Sequence, residues 1–173
     1  MHTNSMILMN EFIEKYDLQK ATVVDIGSYD INGNYRGFFL EGKYIGVDIQ
    51  PGPNVDILMG SEEWNKIENV DAVISGQTIE HVADIPVWMT AIYMVLKPGG
   101  LLCIIAPSAG PPAHYPIWVG LFSEERMSEV VTAGGFEILS CTVSDVGMFN
   151  DTCCVARKPQ SIMKNRRERN EDK

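Results

Sequence analysis

The sequence has few cysteines and no long apolar run. Its four cysteines include no C-x-x-C pair and lie in apolar segments typical of buried strands: Cys103, Cys141, Cys153 and Cys154. We interpret them as core thiols and predict no metal site. No stretch reaches the roughly 18 apolar residues that cross a bilayer, and residues 1–20 lack the basic start and apolar core of a secretory signal. We therefore expect a soluble, cytoplasmic protein with no membrane partner.

Positive charge is scarce outside the end of the chain. Residues 157–173 contain seven Lys or Arg and three Asp or Glu, which leaves residues 1–156 with a net charge of −13, whereas the whole chain carries −9. A body this acidic repels nucleic acids and anionic membranes, so we expect no nucleic-acid partner. We predict one domain over residues 1–157 and a charged, disordered or frayed tail over residues 158–173, with a nucleic-acid-binding arm as the alternative for the tail.

The apolar pattern alternates between helical spacing and short buried runs, which is typical of an α/β protein. Helices are predicted over residues 5–16, 83–96 and 123–133, the last with Ser123 as its N-cap. Strands are predicted over residues 21–26, 43–49, 54–58, 71–75, 101–106, 136–143 and 152–156. The fold class is therefore Rossmann-like and doubly wound: three α/β/α layers around a seven-stranded, mostly parallel sheet that ends in an antiparallel hairpin.

A glycine-containing loop follows the first predicted strand. The stretch V-V-D-I-G-S-Y-D-I-N-G has Gly27 and Gly33 at the two ends of the loop, where backbone N–H groups could approach an anionic ligand. Asp48 ends the second strand, 21 residues after Gly27, where its carboxylate could accept hydrogen bonds from ribose hydroxyls. Only Gly27 fits the G-x-G-x-x-G pattern that a pyrophosphate requires. A ligand with a carboxylate and an ammonium group is therefore favoured over a dinucleotide.

These segments resemble the class I S-adenosylmethionine-dependent methyltransferases, especially the small single-domain branch typified by the ubiquinone-biosynthesis type of C-methyltransferase. D-I-G-S-Y-D-I-N-G is similar to the D-x-G-x-G-x-G loop of that family, although Tyr29 takes the place of the second glycine. V-D-I resembles the ribose-binding motif, and D-A-V-I-S-G-Q-T-I-E-H-V with L-K-P-G-G-L-L is similar to the fourth strand, the next helix and the turn into the fifth strand. The resemblance covers residues 21–156.

The resemblance implies S-adenosylmethionine as the cofactor and a role for each matching residue. The loop residues Asp25, Gly27, Ser28, Tyr29 and Gly33 would shape the methionine pocket. Asp48 would hold the ribose, Ile49 would cover the adenine, and Ser61 or Glu62 would contact the adenine edge. Gln77 and Thr78 would lie beneath the sulfonium.

The acceptor side of the site is less defined by the sequence. Methyl transfer needs alignment, and it needs a base only if the acceptor must lose a proton. Candidate bases are Glu80, His81 and His114; the alternative for His81, which the resemblance favours, is a packing residue at a helix start. Tyr115 and Trp118 are candidate acceptor contacts, and the alternative for Trp118 is that it packs a lid onto the domain. We expect a small-molecule acceptor.

Two other functions are compatible with the fold. A nucleotide-binding oxidoreductase is disfavoured by the missing G-x-G-x-x-G. A non-catalytic binding module is suggested only by the substituted second glycine. Because residues 106–122 are the only segment available for a substrate-binding insertion, the site is expected to be open or to be completed by a second subunit in a homodimer.

Overall fold

A computed structural model describes residues 3–110, 117–144 and 150–160. Three α-helices and seven strands follow in chain order: α1 (Thr3–Lys15), β1 (Thr22–Ile26), β2 (Lys43–Asp48), β3 (Ile57–Leu58), β4 (Val70–Gly76), α2 (Ile85–Val95), β5 (Leu96–Pro107), α3 (Glu124–Ala133), β6 (Glu137–Ser144) and β7 (Asp151–Arg157). Short 3₁₀ helices lie between them, at Arg36–Phe39, Trp64–Lys66 and Ile79–His81. None of the helices within the described ranges is long and apolar enough to cross a membrane.

The strands form one mixed sheet in the order β3-β2-β1-β4-β5-β7-β6. The pairs from β3 to β5 are parallel, whereas β7 runs antiparallel to both β5 and β6. The predicted Rossmann-like sheet with an antiparallel C-terminal hairpin is confirmed. In such a sheet, ligands bind beyond the carboxyl ends of the parallel strands, where the order reverses between β1 and β4.

Helices cover both faces of the sheet and divide the core into two layers. On one face, α1 packs its apolar residues Met9, Phe12 and Ile13 against β4, β5 and β7. On the other face, α2 and α3 contribute Trp88, Ile92, Met127 and Val131 to a second cluster, which also contains Trp64. Cys103, Cys153 and Cys154 are buried, as expected for core thiols, whereas Cys141 on β6 is only half-buried.

Helix boundaries agree with the signals in the sequence. The Ser123 side chain accepts a hydrogen bond from the Arg126 N–H and caps α3, as predicted. One predicted strand is shorter than expected, because residues 54–58 contribute only Ile57–Leu58. Asn54 has a φ of 68°, a left-handed conformation that Asn tolerates and that a strand excludes. Its side chain instead joins a hydrogen-bond network beside the first loop.

Lys158 links the end of β7 to the end of α2. Its Nζ donates to the carbonyl oxygens of Tyr93 and Leu96, both at 2.6 Å, and lies 4.4 Å from the centre of the Tyr93 ring. The ammonium group therefore supplies donors to carbonyls that the helix end leaves without intrahelical partners. The Lys158 backbone also exchanges hydrogen bonds with Gly99 and Gly100, at the turn within β5.

Replacing Lys158 by methionine is expected to lower the free energy of unfolding by about 1–3 kcal/mol, because two part-buried carbonyl acceptors lose a charged hydrogen-bond donor. Urea denaturation followed by circular dichroism measures the change. Lys66→Met, at an exposed position in a 3₁₀ helix, is the matched control. Equal unfolding midpoints for the two variants would contradict the role of Lys158 as a helix cap.

Candidate functional site

The predicted site residues converge at the carboxyl ends of β1, β2 and β4. Gly27 lies at the turn after β1 with a φ of +85°. A Cβ atom at this position would lie 2.1 Å from Thr78 Oγ1, so the turn after β1 touches the turn after β4 directly. Glycine is required here both for the backbone conformation and for this close approach. The structure therefore brings together Gly27 and Thr78, which the sequence assigned to the same site.

The backbone N–H groups of the loop are mostly used within the protein. Those of Gly27 and Ser28 donate to Val47 O, at 2.8 and 3.1 Å, and that of Asp30 donates to Pro53 O at 3.0 Å. The Gly33 N–H donates to the Asp30 carboxylate at 2.7 Å. The N–H groups of these four residues therefore donate within the protein. The loop fits a ligand without phosphate groups better than a pyrophosphate, which requires several N–H donors.

Asp48 ends β2 and faces the loop. One carboxylate oxygen accepts the Tyr29 N–H at 3.1 Å, and the other accepts the Gln50 N–H at 3.3 Å. These two bonds fix the orientation of the carboxylate while leaving it partly exposed. Each carboxylate oxygen has two lone pairs, so Asp48 retains acceptor capacity for a pair of hydroxyl groups.

The residues predicted to contact the adenine differ in their exposure. Ile49 is 82% exposed and is available to pack against a flat ligand group. Ser61 is engaged within the protein, because its Oγ accepts the N–H of Trp64, the first residue of the 3₁₀ helix Trp64–Lys66, at 3.1 Å. Glu62 is exposed. Of the two candidates for the adenine edge, Glu62 is therefore the one whose side chain is open to a ligand.

A partly buried hydrogen-bond network supports the loop from below. The Tyr44 hydroxyl donates to Asp25 at 2.5 Å, and Asn54 donates to the Tyr44 oxygen at 2.8 Å and to Ser28 O at 2.9 Å. Arg36 in turn donates to the Asn54 side chain at 2.7 Å. Complete burial raises the pKa of Asp25 to about 7.

Three members of this network were not recognised in the sequence. Tyr44 appears as an ordinary strand residue, Arg36 follows a loop, and Asn54 lies in a segment predicted as a strand. Only the positive φ of Asn54 could have signalled its role, and φ is not visible in a sequence.

A second set of hydrogen-bonded polar residues lies where β4 ends and β7 begins. Asp151, at the start of β7, is fully buried and accepts hydrogen bonds from Asn4 Nδ2 and Gln77 Nε2, both at 2.9 Å. Ser144 donates to the Asn4 side-chain oxygen at 3.1 Å. This group joins α1 to the edge of the sheet where Gln77 was predicted. Asp151 and Asn4 were missed, because they are 147 residues apart in sequence.

Glu80 lies next to this group in the 3₁₀ helix Ile79–His81. Its side chain is 3% exposed, and within the described residues its Oε2 has no hydrogen-bond partner. Burial, with a smaller contribution from the nearby Asp151 charge, raises the pKa of Glu80 to about 8. Glu80 therefore holds a proton at neutral pH.

Two of the remaining candidates on the acceptor side, His81 and Trp118, make packing contacts. His81 Nδ1 donates to Ile117 O at 2.8 Å, and the centre of its ring lies 5.8 Å from that of Trp118. The Val119 N–H donates to Glu80 O at 2.9 Å, so this segment is held against the 3₁₀ helix. His114 and Tyr115 lie outside the described residues. Among the residues described, no three His, Cys, Asp or Glu side chains are placed to hold a metal ion.

Comparisons with known proteins agree with this architecture. Residues 36–104 match a family model described as a methyltransferase domain. No curated protein matches the chain in sequence. The crystal structure of Burkholderia thailandensis 1,6-didemethyltoxoflavin-N1-methyltransferase, with bound 1,6-didemethyltoxoflavin and S-adenosylhomocysteine, superposes with a TM-score of 0.71 at 17% identity over 90% of this chain and 79% of the other.

Two further structures have the same fold. A SAM-dependent methyltransferase from Aquifex aeolicus gives a TM-score of 0.60 at 20% identity and covers 86% of this chain and 89% of its own. One from Methanosarcina mazei gives a TM-score of 0.65 at 15% identity, covering 87% and 98%. The shared fold and the family match confirm the resemblance first seen in the sequence.

Proposed function

We propose that this chain, which has the fold of the class I S-adenosylmethionine-dependent methyltransferases, binds S-adenosylmethionine and transfers its methyl group to a small molecule. The observation that carries the proposal is the Asp48 carboxylate, held at the end of β2 beside the Gly27 turn with acceptor capacity to spare. A nucleoside with two ribose hydroxyls and no phosphate fits this arrangement.

The chain's own residues fit the cofactor as follows. Asp48 would accept the ribose hydroxyls, Ile49 would cover the adenine, and Glu62 would meet its edge. The methionine part would lie along the loop formed by Gly27, Ser28, Tyr29 and Gly33, which Asp25 supports from below. Gln77 and Thr78 would lie under the sulfonium. Of the two edge candidates, Ser61 is the weaker, since its hydroxyl oxygen already accepts the Trp64 N–H.

S-adenosylmethionine supplies an electrophilic methyl group on a positively charged sulfur. The protein has to align the acceptor with that carbon and exclude water. If the acceptor loses a proton, Glu80 could accept it only in its ionised form, because burial raises the pKa of Glu80 to about 8. His81 and His114 remain alternatives, and Tyr115 and Trp118 would contact the acceptor.

Support for a small-molecule acceptor comes from the structural relative that is crystallised with 1,6-didemethyltoxoflavin and from the acidic body of the chain, which disfavours nucleic acid. A homodimer in which a second subunit completes the site is part of this proposal.

Calorimetric titration with S-adenosylhomocysteine tests the cofactor assignment, with NADH as the comparison ligand. We expect micromolar binding of the first and none of the second. Binding of neither ligand would favour the non-catalytic module, and preferential binding of NADH would favour the oxidoreductase.

Asp48→Ala is expected to weaken S-adenosylhomocysteine binding by about 1–3 kcal/mol, or roughly 5- to 150-fold, because ribose hydroxyls would lose their acceptor. The measurement is the dissociation constant from the same calorimetric titration. Glu68→Ala removes one negative charge at an exposed position and should leave the affinity unchanged. Equal affinity of Asp48→Ala and the wild type would show that the ribose is held elsewhere.

A further inference from the structure

Tyr29 occupies the loop position where related methyltransferases have their second glycine, and its ring needs somewhere to go. In this structure the ring lies against Gly52 in the loop that follows β2. A Cβ atom on Gly52 would lie 2.0 Å from Tyr29 Cε2, 2.6 Å from Cδ2 and 3.0 Å from Cζ. Three ring atoms therefore occupy the space that any side chain at position 52 would need.

Backbone conformation does not explain the glycine at position 52. Gly52 does not have a positive φ, unlike Gly27, Gly33 and Gly60. A left-handed backbone conformation is therefore not the reason for the glycine at this position. The constraint that the structure shows here is the room that the glycine gives to the Tyr29 ring.

The position of Tyr29 matters because its backbone holds Asp48. The Tyr29 N–H donates to one carboxylate oxygen of Asp48 at 3.1 Å, and the Gln50 N–H donates to the other at 3.3 Å. Gly52 is two residues from Gln50 and packs on Tyr29. Both segments that orient the Asp48 carboxylate therefore meet at the contact between Gly52 and Tyr29.

We infer that Gly52 is a positioning residue for the cofactor: its bare backbone keeps the Tyr29 ring on the loop after β2 and thereby keeps Asp48 oriented for the ribose. This inference rests on the proposed function. It also explains how the chain replaces the missing second glycine, since a glycine at position 52 makes room for the tyrosine at position 29.

The test is a double-mutant cycle with S-adenosylhomocysteine as the probe and calorimetry as the readout. Gly52→Val should weaken binding about tenfold or more in the wild-type background, because the ring must leave its place and move the Tyr29 N–H away from Asp48. In the Tyr29→Ala background the same substitution should change the affinity less than about threefold, since no ring remains to be displaced. A purely structural role of Gly52 would give the same loss in both backgrounds.

Control variants separate the possible failures. Gly37→Val adds the same side chain at an exposed glycine, where no heavy atom lies within 4 Å of the place that a Cβ atom would take, and should leave the affinity unchanged. If Gly52→Val does not fold, Gly52→Ala repeats the cycle with a smaller side chain. Wild-type protein that fails to bind S-adenosylhomocysteine would overturn the proposed function. Wild-type binding with no loss in Gly52→Val, or with equal losses in the two backgrounds, would overturn the inference alone.

Discussion

Glu80→Gln is expected to gain stability relative to the wild type as the pH rises from 4.5 to 9. The difference in free energy of unfolding between the two proteins should change by an amount on the order of 2–5 kcal/mol over that range. Glu80 is buried beside Asp151, and its pKa is raised from 4.5 to about 8. The folded protein therefore keeps a proton that the unfolded chain releases. The stabilising effect of that proton is complete below pH 4.5 and is lost as the pH rises to about 8, whereas glutamine has no proton to lose.

The measurement is the difference in free energy of unfolding between the two proteins, determined by urea titration at several pH values. Taking the difference cancels groups that titrate in both proteins, including Asp25, whose pKa is about 7. Glu68→Gln, at an exposed position, should show a difference that does not vary with pH. A difference for Glu80→Gln that stays constant from pH 5 to pH 9 would show that Glu80 ionises normally and would remove it as a proton-holding group.

Gly27→Ala is expected to reduce S-adenosylhomocysteine affinity at least about tenfold and to lower the free energy of unfolding by about 1–3 kcal/mol. The backbone at Gly27 has a φ of +85°, where an L-residue is strained. The new methyl group would also lie 2.1 Å from Thr78 Oγ1, so the turns after β1 and β4 would have to separate. Calorimetry measures the first effect, and urea denaturation measures the second.

A second substitution relieves part of the clash at Gly27. Thr78→Ala removes Oγ1 and Cγ2, the two atoms nearest to the new methyl group, and leaves the Thr78 Cβ at 2.7 Å. Gly27→Ala should therefore cost less in that background than in the wild type, and the remaining loss combines backbone strain with the contact to Cβ. Gly37→Ala, in open space and without a positive φ, should behave like the wild type. Unchanged affinity in Gly27→Ala would exclude the turn after β1 from the ligand site.

The sequence predicted those parts of the fold that show in a short stretch of residues, such as apolar spacing in a helix, a capping residue or the end of a buried strand. The helical spacing of Met9, Phe12 and Ile13 predicted the buried face of α1, and Ser123 predicted the start of α3. Gly27 and Asp48 could be placed at one edge of the sheet because each lies at the end of a buried strand. These features depend on a few neighbouring residues, so a single sequence shows them.

The interior of the site was not predictable in the same way. Asp151 would be expected in an exposed turn before a strand, yet it is fully buried because Asn4 and Gln77 supply its hydrogen bonds. The direction of the Tyr29 ring depends on Gly52, which is 23 residues away. Whether a polar or aromatic residue is tolerated at such a place depends on partners that only the folded chain brings near.

The order of the strands also has a consequence for the making of the protein. β7 lies between β5 and β6, although the ribosome synthesises it after both. Until residue 157 has emerged, one edge of β5 has no neighbour, and β6 has nothing to pair with. An open apolar strand edge on a nascent chain is a target for chaperones and for aggregation. The sheet is therefore completed late, once β7 is available to pair with β5 and β6.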